Sequence, residues 1–160
     1  MNIKLRNLLA AGGLIVFTLA IQSIAQIPNG GGRLAGTWDA AVSITNCATG
    51  DVITTFQSTA SFNPGGTTTG ITSGTPPASR SPEIGVWAHV QENTYAFRFK
   101  AYVFNAAGAP IAYQIVTHTI QLAKDNLNYT SAGDAKIFAM NGTQIGAGCS
   151  SAVGIRMLLD

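Results

Sequence analysis

The stretch LAGTWDAAVSITN, residues 34–46, alternates Trp38, Ala40, Val42 and Ile44 with Thr37, Asp39, Ser43 and Thr45. A period of two sends these two sets to opposite faces of an extended chain, which is the pattern of a half-buried β-strand and not of a helix. The same alternation recurs between Gly-, Pro- and Asn-rich breaks and predicts seven more strands, at residues 52–62, 67–73, 84–91, 94–104, 111–122, 127–140 and 143–158. The breaks carry turn chemistry. Asn63-Pro64-Gly65-Gly66 combines a fixed φ with glycines that accept positive φ, and Asn141-Gly142 is a two-residue hairpin signal. Residues 74–83, with Pro76, Pro77 and Pro82, cannot pair as a central strand and read as the longest loop.

Strands joined mostly by short turns form a meander, and a meander of this size loses its exposed edges by closing on itself. The expected fold is therefore all-β: an eight-stranded antiparallel up-and-down β-barrel, closed by pairing of the first and last strands, with a sandwich as the alternative. The two cysteines, Cys47 and Cys149, fit closure. Placed opposite each other across the first and last strands, they set partner positions that sum to 196, with Ala40 facing Arg156 and Trp38 facing Leu158. A disulfide there staples the seam, and disulfides persist in oxidising, extracytoplasmic compartments.

The N-terminus supports that compartment. Lys4 and Arg6 precede an uncharged run from Leu8 to Ala20, and Ser23-Ile24-Ala25 offers small residues to a signal peptidase. Residues 1–25 are read as a signal peptide and residues 26–160 as a single β-barrel domain, exported to the periplasm or extracellular space of a bacterial-type cell. The apolar run is broken by Gln22 and Ser23, so no membrane span is expected after cleavage. Cleavage removes two of the nine basic residues, leaving seven against seven acidic ones. The remaining Lys and Arg are scattered, which argues against nucleic acid and anionic membrane as partners.

Gly36-Thr37-Trp38 heads the first strand and Arg156 lies near the end of the last. This combination resembles the calycin superfamily of lipocalin-like and avidin-like barrels. The resemblance implies that the indole sits at the closed end of the barrel with an arginine packed across it, a cation–π contact strengthened by shielding from water. It also implies a ligand inside. Strand parity gathers Trp38, Val42, Phe56, Val86, Tyr95, Phe97 and Phe99 as the candidate lining of a pocket for a small, largely apolar molecule. Tyr95 is the candidate donor, and Arg156 the candidate partner for an ionised group. Opposite them the last strand offers Gly146, Gly148, Ser150, Ala152 and Gly154. The alternative is that the large side chains fill the space beside the small ones, since eight-stranded barrels are either packed solid or hold one small ligand. The other parity of the last strand, Val153, Ile155 and Met157, faces outward. Either a bulge shifts the register or this stripe is a contact surface that makes a homodimer plausible, the alternative being cover by the segment Ile27 to Arg33.

No catalytic motif is present. His89 and His118 have no Asp or Cys at a motif spacing, no metal-ligand cluster occurs and no cofactor is implied. Both histidines read as exposed or hydrogen-bonded strand residues, and Glu83 and Glu92 as solvated turn residues. Two other functions remain open: a barrel enzyme of the cyclase or isomerase type (allene oxide cyclase-like or dirigent-like), and a packed structural or interaction protein of the cell surface.

Overall fold

A computed structural model describes residues 32–159. The expected signal peptide and its expected cleavage point lie outside the described residues. Eight strands follow one another: β1 Gly36–Thr45, β2 Val52–Asn63, β3 Thr67–Thr72, β4 Glu83–Gln91, β5 Thr94–Phe104, β6 Pro110–Leu122, β7 Asn128–Ala139 and β8 Gln144–Arg156. Each pairs antiparallel with the next, and β1 pairs with β8, so the sheet is a closed barrel with no free edge. Among the described residues the sole helical element is a single 3-10 turn at Pro77–Ser79, and no helix is long and apolar enough to cross a membrane.

The seam differs in register from the sequence expectation. Trp38 faces Arg156 and Thr45 faces Cys149, a displacement of two residues. Pairing between β1 and β2 slips between Ile44 and Thr45, and the chain turns at Asn46, so Cys47 lies beyond the strand rather than opposite its partner. The disulfide still forms, with the two Cα atoms 5.2 Å apart. Because side chains alternate with period two, an even displacement changes partners without changing faces. The inward set of β1 and β8 is the one the alternation predicts.

Two turns also depart from expectation. Asn141-Gly142 is part of a four-residue connection in which Gly142 alone has positive φ, so it is not the tight turn that needs positive φ at both central residues. Asn141 instead accepts a hydrogen bond from the Thr143 backbone N–H through its side chain, at 3.0 Å. The long loop ends earlier than predicted, with Glu83 as the first residue of β4.

One end of the barrel is plugged. Leu34, Trp38, Phe62, Trp87, Tyr95 and Ile120 are at most 1 % exposed there. Trp38 meets Tyr129 edge-on at 5.0 Å, and Phe62 meets Trp87 edge-on at 5.9 Å. Both indole N–H groups are satisfied, Trp38 by the Leu34 carbonyl at 2.9 Å and Trp87 by that of Asn63 at 3.0 Å. Gly154 on β8 makes this packing possible, since a Cβ there would collide with the Tyr129 ring.

Arg156 seals the plug. Its guanidinium carbon lies 4.2 Å from the centre of the Trp38 ring. It donates to the carbonyls of Asn126 and Ala35, each at 2.7 Å, and to that of Arg33. Gly36, at φ 139°, passes where a Cβ would strike this guanidinium, which accounts for glycine at that position. Arg156→Lys keeps the charge and loses both the flat stacking face and the fork of donors. It should lower stability by about 1–2 kcal/mol and alter the buried tryptophan emission. Unchanged thermal unfolding and unchanged emission would show that the contact contributes nothing.

On the outside, Val153, Ile155 and Met157 are between 51 and 60 % exposed, and no bulge turns them inward.

Candidate ligand cavity

Above the aromatic plug the barrel is hollow. A cavity of about 510 Å³ runs from Phe62 and Tyr129 to the end where β1 finishes and β2 begins, where exposed Thr54 and Thr75 form part of the rim. Protein interiors otherwise leave few voids larger than a water molecule. The volume falls within the roughly 300–1,000 Å³ range of small-molecule sites. The small residues of β8 thus have two uses: Gly154 accommodates Tyr129 in the plug, whereas Ser150 and Ala152 line open space.

The predicted lining separates into three groups. Val42, Phe56, Phe97 and Phe99 line the cavity. Trp38, Tyr95 and Arg156 belong to the closed end, where Trp38 and Tyr95 are packed into the core beneath the cavity. They support its floor rather than its walls, and Tyr95 is not positioned as the polar contact. Val86 is a correction: it is 48 % exposed and points outward, and Trp87 is the inward residue of β4. In β4 the wholly apolar parity, Ile84, Val86, Ala88 and Val90, faces outward, whereas Glu83, Gly85 and Trp87 face inward, so alternation pointed to the wrong face.

Two polar clusters in the wall were not expected as site residues. His118 on β6 is 4 % exposed, and both its nitrogens are engaged, Nδ1 with the Ser131 hydroxyl at 3.0 Å and Nε2 with the Ser150 hydroxyl at 2.8 Å. Burial pushes its pKa down to about 4, against the opposing pull of the Asp134 charge, so the ring is neutral at neutral pH. A neutral imidazole donates from one nitrogen and accepts at the other. One serine therefore accepts from the ring and keeps its own O–H for another acceptor.

The second group is an ion pair. Arg80 Nη1 lies 2.8 Å from Glu83 Oε1, with the two side chains 10 and 11 % exposed. Arg80 also donates from Nη2 to the Gln114 side-chain oxygen at 3.2 Å, and its guanidinium carbon is 5.8 Å from the centre of the Phe99 ring. Burial raises the Glu83 carboxyl above its usual range, and the charge and hydrogen bond of Arg80 act in the opposite direction. The Glu83 charge adds to burial in raising the Tyr129 phenol to about 12. Glu83 is thus a buried wall residue, not a solvated turn residue. Parity counted back from Trp87 through Gly85 places it inward, and an Arg-x-x-Glu spacing in a chain with so few charges was the available signal. Glu92, by contrast, is exposed in a turn, and His89 contacts its backbone carbonyl at 2.9 Å.

Among the described residues no group of three or more His, Cys, Asp or Glu is placed to hold a metal ion. Comparison with protein-family models, with curated proteins and with solved structures finds no match. Fold and site together define the class: a closed, disulfide-bonded eight-stranded barrel with an interior cavity, compatible with a calycin-like fold.

Proposed function

We propose that the chain is exported, loses residues 1–25, and works as a calycin-like barrel that carries a small, largely apolar molecule in its interior. The observation that carries this reading is the cavity of about 510 Å³ walled by Val42, Phe56, Phe97, Phe99 and Val116, with the Arg80–Glu83 pair, Gln114, His118 and its two serines as polar groups in the same wall. Such sites bury most of a ligand against apolar walls and orient it with a small number of hydrogen bonds. Native mass spectrometry of protein purified from its own host tests it directly: a co-purifying small molecule is expected.

Phe97 offers a second test. Its ring stands at the cavity wall against Phe62 at 5.5 Å and His118 at 5.5 Å. Phe97→Trp places a larger ring in ligand volume and should weaken binding about ten-fold or more, equivalent to about 1.4 kcal/mol or more. Undiminished affinity in a folded Phe97→Trp protein would remove the ligand from this wall.

The buried His118 with its two serines, and the Arg80–Glu83 pair, favour a second reading as a barrel enzyme of the cyclase or isomerase type. Weighing against it, a histidine that protonates near 4 is a weak base at neutral pH. Recovery of the ligand unchanged after incubation supports the carrier; recovery of an isomer supports the enzyme.

A further inference from the structure

We infer that the cavity selects uncharged molecules: its occupant is an apolar chain or ring system ending in a neutral oxygen, such as a long-chain alcohol, aldehyde or ketone, and not the corresponding acid or amine. The inference rests on the interior-ligand reading above and specifies what that ligand is.

Among the described residues lining the cavity, Arg80 and Glu83 are the charged side chains, and they neutralise each other across 2.8 Å. The other titratable groups in the wall, His118 and Tyr129, are both neutral at neutral pH. The wall is therefore net neutral although it contains ions. A guanidinium has five N–H donors, and Glu83 and Gln114 engage Arg80 through one nitrogen each. A ligand carboxylate reaching Arg80 would share that cation with Glu83, leaving a net negative charge in a poorly solvated space, where like charges repel strongly. An ammonium would compete with Arg80 for Glu83. A hydroxyl or carbonyl oxygen changes no charge. It accepts from Arg80, or from whichever serine of the Ser131–His118–Ser150 chain keeps a free O–H.

The experiment compares 1-decanol, decanoate and decylamine by calorimetry or probe displacement near neutral pH. The natural chain should bind decanol about ten-fold tighter than either charged analogue. In Glu83→Gln the Arg80 cation loses its counter-charge, and the preference should invert toward decanoate by a similar factor. The double variant Arg80→Gln, Glu83→Gln is neutral again and should return to decanol, which keeps the test decisive if Glu83→Gln alone does not fold. Decanoate or decylamine bound as tightly as decanol by the natural chain overturns charge selection while leaving the cavity reading standing. A folded Glu83→Gln protein that still prefers decanol, or a double variant that does not, overturns it as well. No binding of any of the three by the folded natural chain overturns the interior-ligand reading itself.

Discussion

Replacing Cys47 and Cys149 with serine should lower the unfolding free energy by about 2–5 kcal/mol. The bond spans 102 residues of sequence, almost the whole described barrel. In the chain-entropy account a loop of about 100 residues constrains the unfolded state by about 4.7 kcal/mol, and native-state strain or residual structure lowers the realised figure. In the folded state the same bond joins the end of β1 to β8, two strands that already pair along Trp38–Thr45 and Arg156–Cys149. Its loss should therefore leave the barrel intact and act through the unfolded chain. Urea unfolding of the serine variant should show a lower midpoint together with a steeper denaturant slope, because an uncrosslinked unfolded chain exposes more surface. An unchanged midpoint would show that the bond adds no stability, and a changed fold by circular dichroism would show that the folded barrel itself depends on it.

Acidification should destabilise the protein through His118. In the unfolded chain the ring protonates near its ordinary value of 6.5, and in the folded barrel only near 4. Between those two values the unfolded state binds more protons, so stability rises with pH across the interval. The neutral buried ring's contribution is complete above pH 6.5 and is lost as pH falls to about 4, a change of about 3 kcal/mol. Glu83 works in the opposite sense. Its raised carboxyl holds a proton more firmly in the folded than in the unfolded state, so its contribution diminishes as pH rises above its ordinary value of 4.5. His118→Gln separates the two, since glutamine can still hydrogen-bond a serine but does not titrate. The acid-side loss of stability between pH 6.5 and 4 should shrink by about 3 kcal/mol in that variant. Equal acid sensitivity in the two proteins would exclude His118 as its source.

Legibility in the sequence followed the physics of each feature. The period-two pattern read from residues 34–46 located every strand, because half-buried strands must alternate and turns need Gly, Pro or Asn at particular φ. Val86 was misplaced because its parity in β4, Ile84, Val86, Ala88 and Val90, is wholly apolar yet faces outward. The parity that carries Glu83 and His89 brings Trp87 inward, which only the closed sheet decides. Arg80 and Glu83 were hidden for the opposite reason. Charged residues beside prolines read as solvent-facing, and their burial depends on each satisfying the other.

The sequence by itself determined the all-β class, the number and order of strands, the inward parity of β1 and β8, and the pairing of Cys47 with Cys149, all of which follow from local periodicity or from there being two cysteines. Only the tertiary structure decided the two-residue register of the seam, the division of the interior into a packed aromatic end and an open cavity, and the meeting of His118 with Ser131 and Ser150. Those features join residues from different strands. Side-chain volume and hydrogen-bond geometry across the closed sheet fix them, and no local pattern encodes either.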